Sequence, residues 1–157
     1  YAIPPQGAMI YAANANLTIK GAVSGPITVV AGADTLGGCS SAKGKITVAD
    51  NVYYAGASSI TASASASFAA LASNCVSFNK TGADLLAAGV YFVQQGTSNM
   101  RANGSNGRKF KLYGVRTQGI SVSGFTGGIS LVYDQNLRTY QPPGLPEKAL
   151  LVGWDLH

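Results

Sequence analysis

The chain has 157 residues, enough to bury one hydrophobic core without a metal or many disulfides. Its 46% apolar content excludes a disordered chain, and no apolar run approaches the ~18 residues of a membrane-spanning helix. Only 11% of residues are charged, with a net charge of +5; Gly, Ala, Ser, Thr and Asn fill the deficit, a composition expected of an exported surface or fibre protein.

Residues 1–7, with Pro4 and Pro5, read as an extended arm or linker, because proline does not continue a helix. Residues 8–157 read as a single β-rich domain. The start at Tyr1, with no initiating Met, suggests a processed chain or a piece of a longer one. Residues 8–12 form a first strand, turned by 14–16. Short β-branched runs follow around Ile19, 27–29, 46–48 and 52–54, punctuated by Gly, Pro, Asp and Asn. Within them side chains alternate: Ile27, Val29 and Ala31 leave one face, Thr28 and Val30 the other. Runs of about four residues suit the rungs of a solenoid, where each coil buries its face against the next. Centres near Ile10, Ile19 and Thr28 recur about every nine residues, a short-coil rhythm.

Residues 32–44 are a Gly/Ser-rich loop with Cys39 at its tip. Residues 58–74 form a Ser/Ala-rich excursion. Within it, residues 66–72 fit one or two helical turns, with Phe68, Leu71 and Ala72 on one face. A buried strand is expected at 90–93, a polar loop at 96–107, and strands at 110–115, 120–123 and 129–133. The Pro-rich 142–146 segment then folds back as a cap, with Trp154 closing the core. The expected fold is all-β: a short, irregular parallel β-solenoid with a Pro-rich C-terminal cap. The alternative is a β-sandwich able to exchange strands with its neighbours.

Little in the chain resembles catalytic chemistry. The only histidine is the terminal His157, a poor place for the base of a triad. The acids Asp34, Asp50, Asp84, Asp134, Glu147 and Asp155 are scattered, so no catalytic residue, metal site or cofactor is assigned. Asp134-Gln135-Asn136 has calcium-like spacing but lacks the bidentate acid of a calcium loop, and reads as a turn. Cys39 and Cys75 have neither a CxxC partner nor a nearby His. In an exported chain they suggest a disulfide, worth roughly 3–4 kcal/mol in the chain-entropy model. Two buried free thiols are the alternative. Tyr53, Tyr91, Tyr113 and Tyr133 are placed in strands, where stacking between rungs is expected and a sugar- or base-stacking face is the alternative; Tyr53 and Tyr54 must face opposite ways, leaving one exposed.

Between Asp84 and Asp134 there is no acid, yet Arg101, Arg108, Lys109, Lys111 and Arg116 all fall there. They are the candidate site for DNA or an anionic surface; the plain alternative is a solvated face. Asn16, Asn79 and Asn103 head glycosylation sequons.

Several segments together resemble one family: Gly25-Pro26-Ile27-Thr28-Val29-Val30-Ala31, Ile46-Thr47-Val48-Ala49-Asp50-Asn51-Val52-Tyr53-Tyr54, and Asp84-Leu85-Leu86-Ala87-Ala88-Gly89-Val90-Tyr91-Phe92-Val93. The strongest is the ending, Val132-Tyr133-Asp134-Gln135-Asn136-Leu137-Arg138, followed by Pro142-Pro143-Gly144-Leu145-Pro146 and Trp154. The chain resembles the β-solenoid ectodomain of large minor pilins, cell-surface proteins associated with type IV pili. That resemblance implies an extracellular, non-enzymatic structural or adhesive domain. Its partners would be other pilus or filament subunits, with DNA contact as in competence-associated members and no small-molecule substrate. The alternative is a repeating subunit of an extracellular filament assembled by strand exchange.

Overall fold

The structure, a computed structural model, describes residues 4–56, 65–96 and 99–145. It is all-β, with a mostly parallel sheet and no α-helix among the described residues. Of the 1–7 arm, residues 4–7 make a turn closed by the Gly7 N–H on the Pro4 carbonyl at 2.8 Å. Among the described residues eleven strands follow: β1 Ala8–Ala12, β2 Leu17–Val23, β3 Pro26–Ala31, β4 Lys45–Tyr54, β5 Ser67–Ala72, β6 Cys75–Asn79, β7 Leu85–Val93, β8 Met100–Asn103, β9 Lys109–Arg116, β10 Ile120–Ser123 and β11 Gly128–Val132.

Consecutive strands are not partners. Ile10 pairs with Val29, two runs further on, so the nine-residue rhythm counts steps from one ladder series to the next. The first series runs β1, β3, β5 and the second half of β7. The second runs from the first halves of β2 and β4 through β6, β8 and β10. The third takes the second halves of β2 and β4, the first half of β7, then β9 and β11. Every ladder among the described residues is parallel. All three series send side chains into one core: Val29 and Tyr91 from the first, Ile46, Val76 and Met100 from the second, Val52, Ala87 and Leu112 from the third. Inside it Phe78 packs edge-on against Tyr91 at 4.9 Å and lies 5.1 Å from Phe110, which lies 5.6 Å from Phe125.

Glycine is required where β7 and β9 pass closest. A Cβ on Gly114 would lie on the Gly89 carbonyl oxygen, and one on Gly89 would meet the Phe68 carbonyl at 2.7 Å.

Two expectations are corrected. Residues 66–72 are not helical; Ser67–Ala72 is strand β5. Phe68, Ala70 and Ala72 enter the main core, while Ala69 and Leu71 belong to a second apolar cluster on the other face. With both faces covered, small residues fit and local propensity is overridden. The polar loop at 96–107 contains strand β8, whose Met100 and Ala102 are fully buried.

Among the described residues, 135–145 fold back along the outside of the first series. Leu137, in a 3-10 turn at Gln135–Arg138, and Leu145 pack with Ala69, Leu71, Val90 and Val115. The Thr28 hydroxyl donates to the Pro143 carbonyl at 2.6 Å. The Ser/Ala stretch at 58–64 and the tail with Trp154 and His157 lie outside the described residues.

Candidate anion-binding face

Alternation along β9 sets the geometry. Phe110 and Leu112 are buried, so Lys109 and Lys111 leave the opposite, outer face of the third series. Lys109 is exposed and Lys111 half-buried. The Lys109 N–H donates to Asp84 Oδ1 at 2.9 Å, which fixes the start of the strand. Both lysines line a groove of about 340 Å³ shared with Asn51, Asp84, Leu86 and Ser130. Asn51 braces its wall: Oδ1 accepts the Leu86 N–H and Lys80 Nζ, each at 3.0 Å. Lys80 in turn pairs with Asp50 at 2.6 Å. The hydrogen bond from Lys80, and then that from the Asn51 N–H, hold the Asp50 carboxyl below its ordinary range.

The five sequence-assigned cations do not form one cluster along the ladders. Arg108 directly precedes Lys109 and is exposed. Arg101 sits on β8 in the second series, in register with Ser77 and Ser121. Arg116 is at the far end of β9, in register with Tyr91, and its guanidinium donates to the Gln118 carbonyl. Asn51, Leu86 and Ser130 carried no signal in the sequence as site residues. Leu86 and Ser130 stand beside Lys111 because they pair with it across the ladders, and Asn51 joins them by accepting the Leu86 N–H.

The remaining assigned positions have defined places. Cys39 and Cys75 form a disulfide with Cα atoms 4.8 Å apart. Asn79 and Asn103 are in register on β6 and β8, and Asn103 Nδ2 donates to Asn79 Oδ1 at 3.0 Å. Asn16 Nδ2 donates to the Ala42 carbonyl at 2.7 Å, and its Oδ1 accepts the Lys45 N–H at 3.0 Å, so this side chain clips the 32–44 loop. Tyr53 is exposed and Tyr54 buried, the opposite orientation that alternation requires. Tyr133 lies just past β11, where the Arg138 guanidinium sits 5.7 Å from its ring centroid.

Asp134 is fully buried beside Tyr54 and Tyr113. Burial, then the Asp134 charge, raise both phenols above their ordinary value, and burial alone raises Tyr91. Among the described residues, no three His, Cys, Asp or Glu side chains gather as a metal site, and no helix is long and apolar enough to cross a membrane. Comparison of the chain with protein-family models, curated proteins and solved structures finds no match.

Proposed function

We propose that the chain is a non-enzymatic extracellular module, a short parallel β-solenoid in a surface or pilus-associated assembly, that contacts DNA through the β9 groove. The parallel direction of every described ladder, and one core fed by three series, support a solenoid over a strand-exchanging sandwich. The Cys39–Cys75 disulfide is compatible with an oxidising, extracellular setting. The pilus association rests on the sequence resemblance. The DNA contact rests on a single observation: Lys109 and Lys111 share one outward groove, with Arg108 immediately before them.

The test is fluorescence anisotropy on labelled duplex DNA over a salt series. Affinity is expected to fall linearly on a log–log plot, since each neutralised phosphate releases counterions. The double variant Lys109→Ala/Lys111→Ala should reduce that slope by about two. Absent or salt-independent binding refutes the DNA role. Binding to anionic lipid vesicles but not to DNA would transfer the groove to an anionic surface.

A further inference from the structure

The two ends of the ladder series differ in a complementary way. In the third series one inward column runs Gly21, Val52, Ala87, Leu112 and Leu131. Its middle members are at most 2% exposed, but Leu131 is 48% exposed and Ile129, which follows Phe110, is 53% exposed. Among the described residues no strand lies beyond β11 or β10. At the opposite end the column stops at Gly21, where a Cβ would meet nothing within 4 Å. There a hollow of about 300 Å³ opens, lined by Ile10, Ile19, Gly21, Val23, Val29 and Phe68. Ile10, inward by its pairing with Val29, is 52% exposed at its rim.

One end therefore carries apolar knobs and the other a largely apolar hollow, lined also by Thr18 and Lys20, with Leu131 and Gly21 in the same column. Stacked arrays ordinarily finish in a unit with a polar outer face, and exposed edge strands are ordinarily blunted by charge or proline. Neither β10, Ile-Ser-Val-Ser, nor β11, Gly-Ile-Ser-Leu-Val, has either. Strand direction selects the partner. In a second copy placed head to tail, β10 meets the first half of β2 and β11 its second half, both in the parallel sense of every existing ladder. Ile120 and Val122 then continue the columns of Leu17 and Ile19. A two-fold pairing through the β11 ends sets knob against knob, reverses strand direction, and leaves the hollow unfilled.

We propose that the chain associates head to tail with a second copy of itself, Ile129 and Leu131 of one copy entering the hollow beside Gly21 of the next. The contact is heterologous, so each added copy keeps one free end and the series stays open rather than closing as a dimer. It rests on the ladder registers and not on the lysines, although Ile129 also lines the β9 groove.

The experiment is sedimentation velocity on the full chain over a concentration series. The wild type should pass from monomer to dimer and then to larger species. Leu131→Asp removes a knob and Ile10→Glu spoils the hollow, so each alone should remain monomeric. An equimolar mixture of the two should recover dimers and nothing larger, because each retains the end the other lacks. Melting temperature confirms that each variant folds; Ile129→Lys replaces Leu131→Asp if the latter does not. A wild type that stays monomeric, or stops at dimer, overturns the proposal. So do folded single variants that associate undiminished, or a mixture that forms no dimer.

Discussion

Asn74 has no exposed surface and spends its side chain on one loop. Its Oδ1 accepts the Gly37 N–H at 2.8 Å, and its Nδ2 donates to the Thr35 and Lys43 carbonyls, both at 2.9 Å. Asn74→Ala leaves those groups unpaired and should lower stability by about 3 kcal/mol in a denaturant titration; a loss within 0.5 kcal/mol, as at ordinary surface sites, would mean water replaces the amide. Gly114→Ala is predicted to be more damaging, roughly 4 kcal/mol or more, because the added methyl collides with backbone rather than a flexible side chain. A soluble variant with wild-type melting would contradict that close approach. The tyrosines set the alkaline limit. Tyr54, Tyr91 and Tyr113 are raised in the folded state above the ordinary 10.0. Their contribution is therefore complete below pH 10 and is lost as pH climbs beyond it. Phenolate absorbance from these three should appear together with loss of the β signal in circular dichroism. Ionisation of Tyr54, Tyr91 and Tyr113 at the ordinary value with the fold intact would refute this.

At the scale of elements, two tethers act across the ladders. The Cys39–Cys75 bond spans 36 residues of sequence and joins the 32–44 loop to the start of β6. Its reduction should lower stability by roughly 3–4 kcal/mol, mostly through the unfolded chain. The loop itself should stay in place, because Asn74 and Asn16 hold it independently. Hydrogen exchange under reducing conditions checks this: the Gly37 and Lys45 amides should keep their protection. The second tether is the C-terminal strap. Leu137 is fully buried over Ala69 and Val90. Leu137→Ala should cost about 2–4 kcal/mol, exposing the outer face of β5 and β7 while leaving the core aromatics untouched.

For the whole molecule, a net charge of +5 draws any polyanion to some degree. Binding alone therefore does not identify a site; a comparison at equal charge does. Lys109→Ala/Lys111→Ala and Arg101→Ala/Arg116→Ala each remove two positive charges. Only the first pair strips the β9 groove, so only it should reduce the salt slope of DNA binding by about two. Equal effects from both pairs would mean that the overall field, not the groove, does the binding. Salt also separates the two proposals. DNA binding weakens with salt, whereas head-to-tail contact through Ile129 and Leu131 buries apolar surface and should persist.

The sequence by itself determined which runs are strands wherever alternation is strong. Ile27 against Thr28, Phe110 against Lys111 and Tyr53 against Tyr54 each divide as a period of two requires. It also determined the outward sense of Lys111, because Phe110 and Leu112 on either side must be buried; Lys109 joined that face only when the structure began β9 at Lys109. Only the tertiary structure decided that Ser67–Ala72 is a strand, since its small side chains belong where both faces are covered by parts of the chain distant in sequence. Only it revealed β8, whose brief Met100 and Ala102 pattern is surrounded by polar residues. It alone divided the five cations, keeping Arg108, Lys109 and Lys111 together and placing Arg101 and Arg116 elsewhere. The physical reason is common to all three. Alternation is a local property of the backbone, whereas partner and register depend on the loops between strands. Here those loops are too unequal to repeat: two residues separate β2 from β3, while residues 32–44 lie between β3 and β4.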